Sequence, residues 1–126
     1  MSYKVVKSWV TKAGLNACIL LVNNSHHCGY VAIPDALLGE DFYENGTIVA
    51  HGGITYQGIP EWSQGREVIG FDCAHWNDLT RCPQELIDAS LEHLHAIEGV
   101  WRDEEYCVNE CESMAEQLIN LIPKIN

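Results

Sequence analysis

Three stretches of this chain mix glycines, aromatic rings and polar groups: His51-Gly-Gly-Ile-Thr-Tyr56, Ile69-Gly-Phe-Asp-Cys-Ala-His75 and Trp101-Arg-Asp-Glu-Glu-Tyr106, the last leading into Ala115-Glu-Gln-Leu118. Each falls where one expected element gives way to the next, the usual location of binding and catalytic groups. In the first, Gly52-Gly53 removes side chains where backbone N–H groups could approach an anion. A tight turn with no ligand accounts for a glycine pair equally well. His51, Thr55 and Tyr56 add donors and a ring beside it.

The second stretch has three readings. Cys73 could be a nucleophile with His51 or His75 as its base. Cys73 and His75 could join Cys28, His26 or Cys82 around a metal. As a plain strand end, Phe71 and Cys73 would share one face and Asp72 would be hydrogen-bonded in the turn. The chain has no paired Cys-x-x-Cys, and the spacings of a tetrahedral zinc site are absent, so no metal and no cofactor is expected. Cys107 and Cys111, four apart on an expected helix, could share a metal in principle; their place in or beside the apolar stripe favours packing.

Arg102 in the third stretch is a cation in the expected first turn of a helix, where it opposes the macrodipole. Its acidic successors Asp103, Glu104 and Glu105 could screen it as a surface ion pair of little energetic value. Alternatively it projects toward an anion held also by helix N-terminal amides. Trp101 and Tyr106 lie close by in sequence, and Phe71 and Trp76 farther off, as rings for a base.

The elements that must position these groups follow from pattern. Leu15–Asn23 reads as a strand ended by the turn-forming Asn23-Asn24-Ser25, and Cys28–Ile33 as its hairpin partner, stopped by Pro34. Asp35–Leu38 suits a short helical turn. Thr47–His51 and Gly53–Tyr56 read as strands flanking a bend, and Glu67–Asp72 as the last strand. Pro83–Ile97 suits a helix, with proline in its first turn and Gly99 past its end. A second helix runs from Trp101 to about Ile122, where Trp101, Val108, Cys111, Ala115, Leu118 and Ile122 recur at helical spacing and Pro123 closes it. The fold expected is α+β: an antiparallel sheet in the N-terminal half, two C-terminal helices, one domain over 1–126.

Composition narrows the function. Eighteen acidic against seven basic residues give a net charge of −11. Such a chain repels long nucleic acid and anionic membranes, whose binding depends on many cations. A small anion needs only one or two, and the arginines are Arg66, Arg81 and Arg102. No apolar run approaches the roughly 18 residues of a membrane span, and Met1–Lys12 lacks the pattern of a signal peptide, so a cytoplasmic protein is expected. In that setting the six cysteines are read first as reduced and buried.

Taken in order, His51–Thr55, Gly70–His75, Arg102–Cys111 and Ala115–Leu118 resemble the blocks of the first class of Thoeris anti-defence sponges of bacteriophages. The resemblance covers about residues 28 to 118; residues 83–97 fall outside its pattern. It implies a protein that binds cyclic ADP-ribose isomers made by bacterial TIR-domain proteins, sequesters them whole without hydrolysis, and so keeps the NADase effector silent in the host cytoplasm. It also implies assembly into homodimers or homohexamers and, in some members, cyclic di- or trinucleotides at a separate site. Carried over residue by residue, Arg102 would engage the diphosphate, and Phe71 or Trp101 would stack on adenine. Asp72, Asn77 and Asp78 would accept from ribose hydroxyls or the adenine amine, with His51, Thr55 and Tyr56 lining the pocket and Tyr106 near the base. The rival class is an enzyme, a cysteine hydrolase or phosphodiesterase acting on such a signal. A purely structural interaction protein is the third.

Overall fold

The computed structural model of the chain describes residues 2–74, 78 and 100–125. Strands β1 (Tyr3–Val10), β2 (Asn16–Val22), β3 (His26–Ala32), β4 (Tyr56–Gly58) and β5 (Val68–Asp72) form one antiparallel sheet in the order β1-β2-β3-β5-β4. A helix, α1 (Glu104–Ile125), follows. The fold is α+β, as the split between a β-rich first half and a helical end implies. The other expected helix, over 83–97, lies outside the described residues.

The β2–β3 hairpin turns at Asn23 and Asn24, both left-handed at φ 52° and 55°, with the Ser25 N–H donating to the Val22 carbonyl at 2.8 Å. Asparagine tolerates that conformation, and two left-handed residues in succession match the twist of the flanking strands. Asp35–Leu37 forms the expected short turn, as a 3-10 helix.

Three expectations need correction. Strand β1 goes unread in the sequence because it is an edge strand exposed along most of its length, with a register shift between Val5 and Lys7; apolar alternation fails where neither face is fully covered. Residues 47–51 and 53–55 are loop, and only Tyr56–Gly58 pairs with β5. The helix does not begin at Trp101: Asp103 is its cap, its carboxylate accepting from the Tyr106 N–H at 2.8 Å. At its other end α1 runs past Pro123 to Ile125.

One face of the sheet, through Ala17, Ile19, Val31, Ile69 and Phe71, packs against Cys107, Cys111, Met114, Ala115 and Leu118 of α1. Alternation puts Leu20, Val22 and Cys28 in a smaller cluster on the opposite face, with Tyr30 and Trp62 against it. Between β3 and β4 a long loop drops four apolar plugs, Leu37, Phe42, Ile48 and Ile54, into the helix-side core. Its irregular backbone is satisfied by side-chain amides. Gln117 of α1 accepts from the Val49 N–H at 2.7 Å and donates to its carbonyl at 2.8 Å. Gln57 does the same for Phe42 and Glu40. The glycine pair then reverses the chain, with φ of 69° at Gly52 and 86° at Gly53 and the Gly53 N–H on the Ala50 carbonyl. This tightly held turn is what aims His51.

Candidate functional site

The polar groups that converge do so around Asp78. Its side chain is 0% exposed, a position an ionised carboxylate occupies only when paired and hydrogen-bonded. One oxygen accepts from Arg102 Nε at 3.0 Å, and the other from His51 Nε2 at 2.8 Å. A backbone bridge between Asp78 and Val100 brings the carboxylate beside Arg102. Because a carboxylate only accepts, the hydrogen of His51 is assigned to Nε2. In that tautomer Nδ1 accepts from the Tyr106 hydroxyl, 2.8 Å away. Four residues from three separate parts of the chain therefore form one line: Arg102, Asp78, His51, Tyr106.

Arg102 is held from two sides. Asp78 fixes Nε, and the Tyr106 ring lies beneath the guanidinium with its centroid 5.0 Å from Cζ, a cation–π distance. The hydrogen bond to Asp78 raises the arginine's pKa further above its already high value. Burial, with Glu110 adding to it, raises that of Tyr106, so the phenol stays protonated. The arginine's side chain is 21% exposed, and its terminal nitrogens have no hydrogen-bond partner among the described residues. The result is a preset, partly exposed cation.

A second histidine, which the sequence reading passed over, fixes the backbone of the same residue. His27, buried on β3, donates from Nδ1 to the Arg102 carbonyl at 2.9 Å, and its ring lies 5.3 Å from that of Trp101. Its signal was strand parity: residues 27, 29 and 31 share the helix-side face, and a histidine buried there needs a polar partner. Arg102 thus precedes the capped helix instead of lying in its first turn, which removes the conflict with the macrodipole.

The other expected site residues divide. Trp101 is half-buried beside His27. Asp72 stands nearby but is engaged within its own turn, accepting from Thr55 Oγ1 at 3.1 Å and from the Ala74 N–H at 3.0 Å. Two expectations are overturned. Phe71 is 1% exposed, its ring filling the space above Gly29, so it has no face to offer a base. Tyr56 stands on the opposite side of the sheet, edge-on to Tyr30 at 5.8 Å. Asn77, with His75 and Trp76, lies outside the described residues.

Cysteine chemistry is constrained by burial. The Cys73 thiol is 1% exposed and faces the Cys107 sulfur at 3.8 Å. That contact, with burial, pushes its pKa up, the reverse of what a nucleophile requires. Cys28 belongs to the opposite-face cluster and Cys73 to the helix-side core, which separates two of the ligands considered for a metal. No group of three or more His, Cys, Asp or Glu suited to a metal occurs among the described residues. No described helix is long and apolar enough to cross a membrane.

The opposite face carries a groove of about 220 Å³ between Val5 and Ser8 of β1, Cys18 and Tyr30 on its floor, and Trp62 and Arg66 on the far wall. Arg102 is not part of it. No family model, curated protein or solved structure matches this chain.

Proposed function

We propose that the protein binds a cyclic ADP-ribose isomer at Arg102 and holds it without chemical change, acting as a sponge that blocks Thoeris anti-phage signalling. What carries the reading is the guanidinium itself: immobilised at Nε by the buried Asp78, stacked on Tyr106, with no hydrogen-bond partner for its terminal nitrogens among the described residues. Two parallel N–H donors match the oxygens of a diphosphate, and a charge-assisted bidentate pair is about twice as strong as a neutral hydrogen bond. Because Asp78 and Tyr106 already restrict the side chain, little rotamer entropy is lost on binding. Trp101 and Tyr106 supply the aromatic surface for the base.

Sequestration is favoured over turnover by the state of the reactive groups. Cys73 is buried as a thiol, and both ring nitrogens of His51 are engaged, one by Asp78 and one by Tyr106. His51 and Asp78 are positioning residues in this reading. From the resemblance, the reading extends to a homodimer or homohexamer and to cyclic di- or trinucleotides at a separate site.

The test is calorimetry of the purified protein with cyclic ADP-ribose isomers, followed by heat denaturation and chromatography of the released nucleotide. Binding with intact ligand recovered is the expected result. Product nucleotide formed at substoichiometric protein would replace the sponge with a hydrolase. Absence of heat with every isomer would overturn the reading at this site. Light scattering tests the assembly, and a strict monomer would remove it.

A further inference from the structure

Cys73 ends the strand β5 side of the core and Cys107 lies in the first turn of α1, 34 residues apart in sequence, yet their sulfurs are 3.8 Å apart and both are buried. Each backbone is fixed independently, the Cys73 N–H on the His27 carbonyl at 3.0 Å and the Cys107 N–H on the Asp103 carbonyl at 3.2 Å. The contact is therefore imposed by the fold. The neighbouring Cys111 sulfur is turned instead toward the Tyr30 carbonyl, 3.9 Å away, and Cys28 lies in the opposite-face cluster. The segment between the two thiols contains Asp78, Trp101 and Arg102.

We propose that Cys73 and Cys107 are a redox-active pair, joined on oxidation by a disulfide that closes the loop delivering Asp78 and Arg102. Two S–H bonds break and one S–S bond forms; the two electrons and two protons reduce the disulfide of oxidised glutathione to two thiols. The sulfurs must approach from 3.8 Å to about 2.05 Å, a closure of the size that side-chain rotation supplies. Burial delays the first attack until the contact opens, because a shielded thiol exchanges poorly. Once one sulfur is attacked, its partner is the nearest nucleophile, so a mixed disulfide resolves within the pair.

The experiment equilibrates the full chain in glutathione buffers from fully reduced to fully oxidised, alkylates it in denaturant, and reads intact mass and the linked peptides. Thiols should fall from the six of the sequence by two, in one step, with the link mapped to Cys73 and Cys107. Constraining a loop of this length in the unfolded chain should raise the Tm of the oxidised form by about 5–15 °C. Cys107→Ala should form no internal link, and any attack on its Cys73 should stop at the glutathione adduct. In the parent chain, six alkylatable thiols at every ratio, a link at another pair, or glutathione adducts that persist on Cys73 or Cys107 would each overturn the proposal. All of these readouts are covalent or thermal, so they stand or fall apart from nucleotide binding.

Discussion

The two faces of one sheet solve the same packing problem with different consequences. On the helix side Phe71 lies across Gly29, where an added Cβ would meet its ring at 2.5 Å. On the other side Tyr30 lies across Gly70, where an added Cβ would meet its ring at 2.3 Å. These are consecutive pairs of one register, Gly29 with Phe71 and Tyr30 with Gly70. The helix then closes the first face, leaving buried polar groups that must satisfy one another. Among the described residues only the loop around Trp62, pinned by the Tyr3 hydroxyl on Glu61 at 2.7 Å, covers the second, and they leave a groove open. Aromatic rings with an arginine occur on both faces. What separates them is restraint: Arg102 is locked by a buried carboxylate, whereas Arg66 is exposed and among the described residues its side chain reaches only the Gln64 amide oxygen at 3.4 Å.

The largest expected effect comes from unlocking the helix-side face. Asp78→Ala removes the acceptor for both Arg102 and His51 and leaves them with an unsatisfied charge and donor. Loss of one partner from a buried pair typically costs about 3–5 kcal/mol; the partial exposure of Arg102 lowers the expectation to about 2–4 kcal/mol. Urea unfolding checks this, and a change below about 1 kcal/mol would show that the network is ornamental. Next come the two glycines. Gly29→Ala forces Phe71 and the Cys111 sulfur apart inside a closed core, at a cost of about 2–3 kcal/mol. Gly70→Ala should cost at least as much, about 2–3 kcal/mol, because the added Cβ would meet the Gly29 carbonyl oxygen at 2.9 Å as well as the Tyr30 ring, and backbone in mid-sheet cannot yield into the groove. A cost well below that of Gly29→Ala would mean that ring and backbone both yield toward the groove.

Legibility in the sequence followed the same division. The hairpin through Asn23-Asn24, strand β5 and the terminal helix were readable because a turn residue or an apolar period marks each. Strand β1 was not, being an edge with little apolar contrast. The His51, Arg102 and Tyr106 side chains are brought together by the fold, but nothing in their spacing says that Asp78 joins them, since that depends on a bridge between residues 78 and 100. Phe71 and Tyr56 were misjudged for one reason: strand parity distinguishes the faces, yet it does not say which face the helix will cover. His27 was missed because strand parity groups it with residues 29 and 31 without saying that the helix buries their face, and Gln117 because a glutamine that substitutes for a strand neighbour carries no local pattern.

Binding should sharpen the contrast between the arginines. Arg102→Lys keeps the charge but loses the planar fork and the Nε contact, so affinity for a cyclic ADP-ribose isomer should fall at least tenfold, about 1.4 kcal/mol. Arg66→Gln and Trp62→Leu on the other face should leave that affinity within about twofold, since exposed groups away from a site contribute little. Calorimetry on the three variants decides. Weakening by Arg66→Gln as large as that by Arg102→Lys would place the ligand in the groove instead.

The smallest expected effect separates two adjacent histidines. His27 points into the core, whereas His26 belongs to the Tyr30 side of β3, half-buried, with Nδ1 3.3 Å from the Ser25 hydroxyl. Burial lowers the pKa of His26 below its ordinary value of 6.5 and nearby His27 lowers it further, while the Asp72 and Asp78 carboxylates act in the opposite direction. As pH falls through about 6.5 the unfolded chain therefore takes up this proton before the folded one does. The stabilisation attached to neutral His26 is complete above that pH and is lost as the pH descends toward the depressed folded value. His26→Gln cannot titrate, so its Tm should decline less between pH 7 and pH 5 than that of the parent chain. Parallel Tm curves over that interval would show that this histidine is solvated as fully in the folded chain as in the unfolded one, and that the outer face is wetter at its end than the groove beside Tyr30.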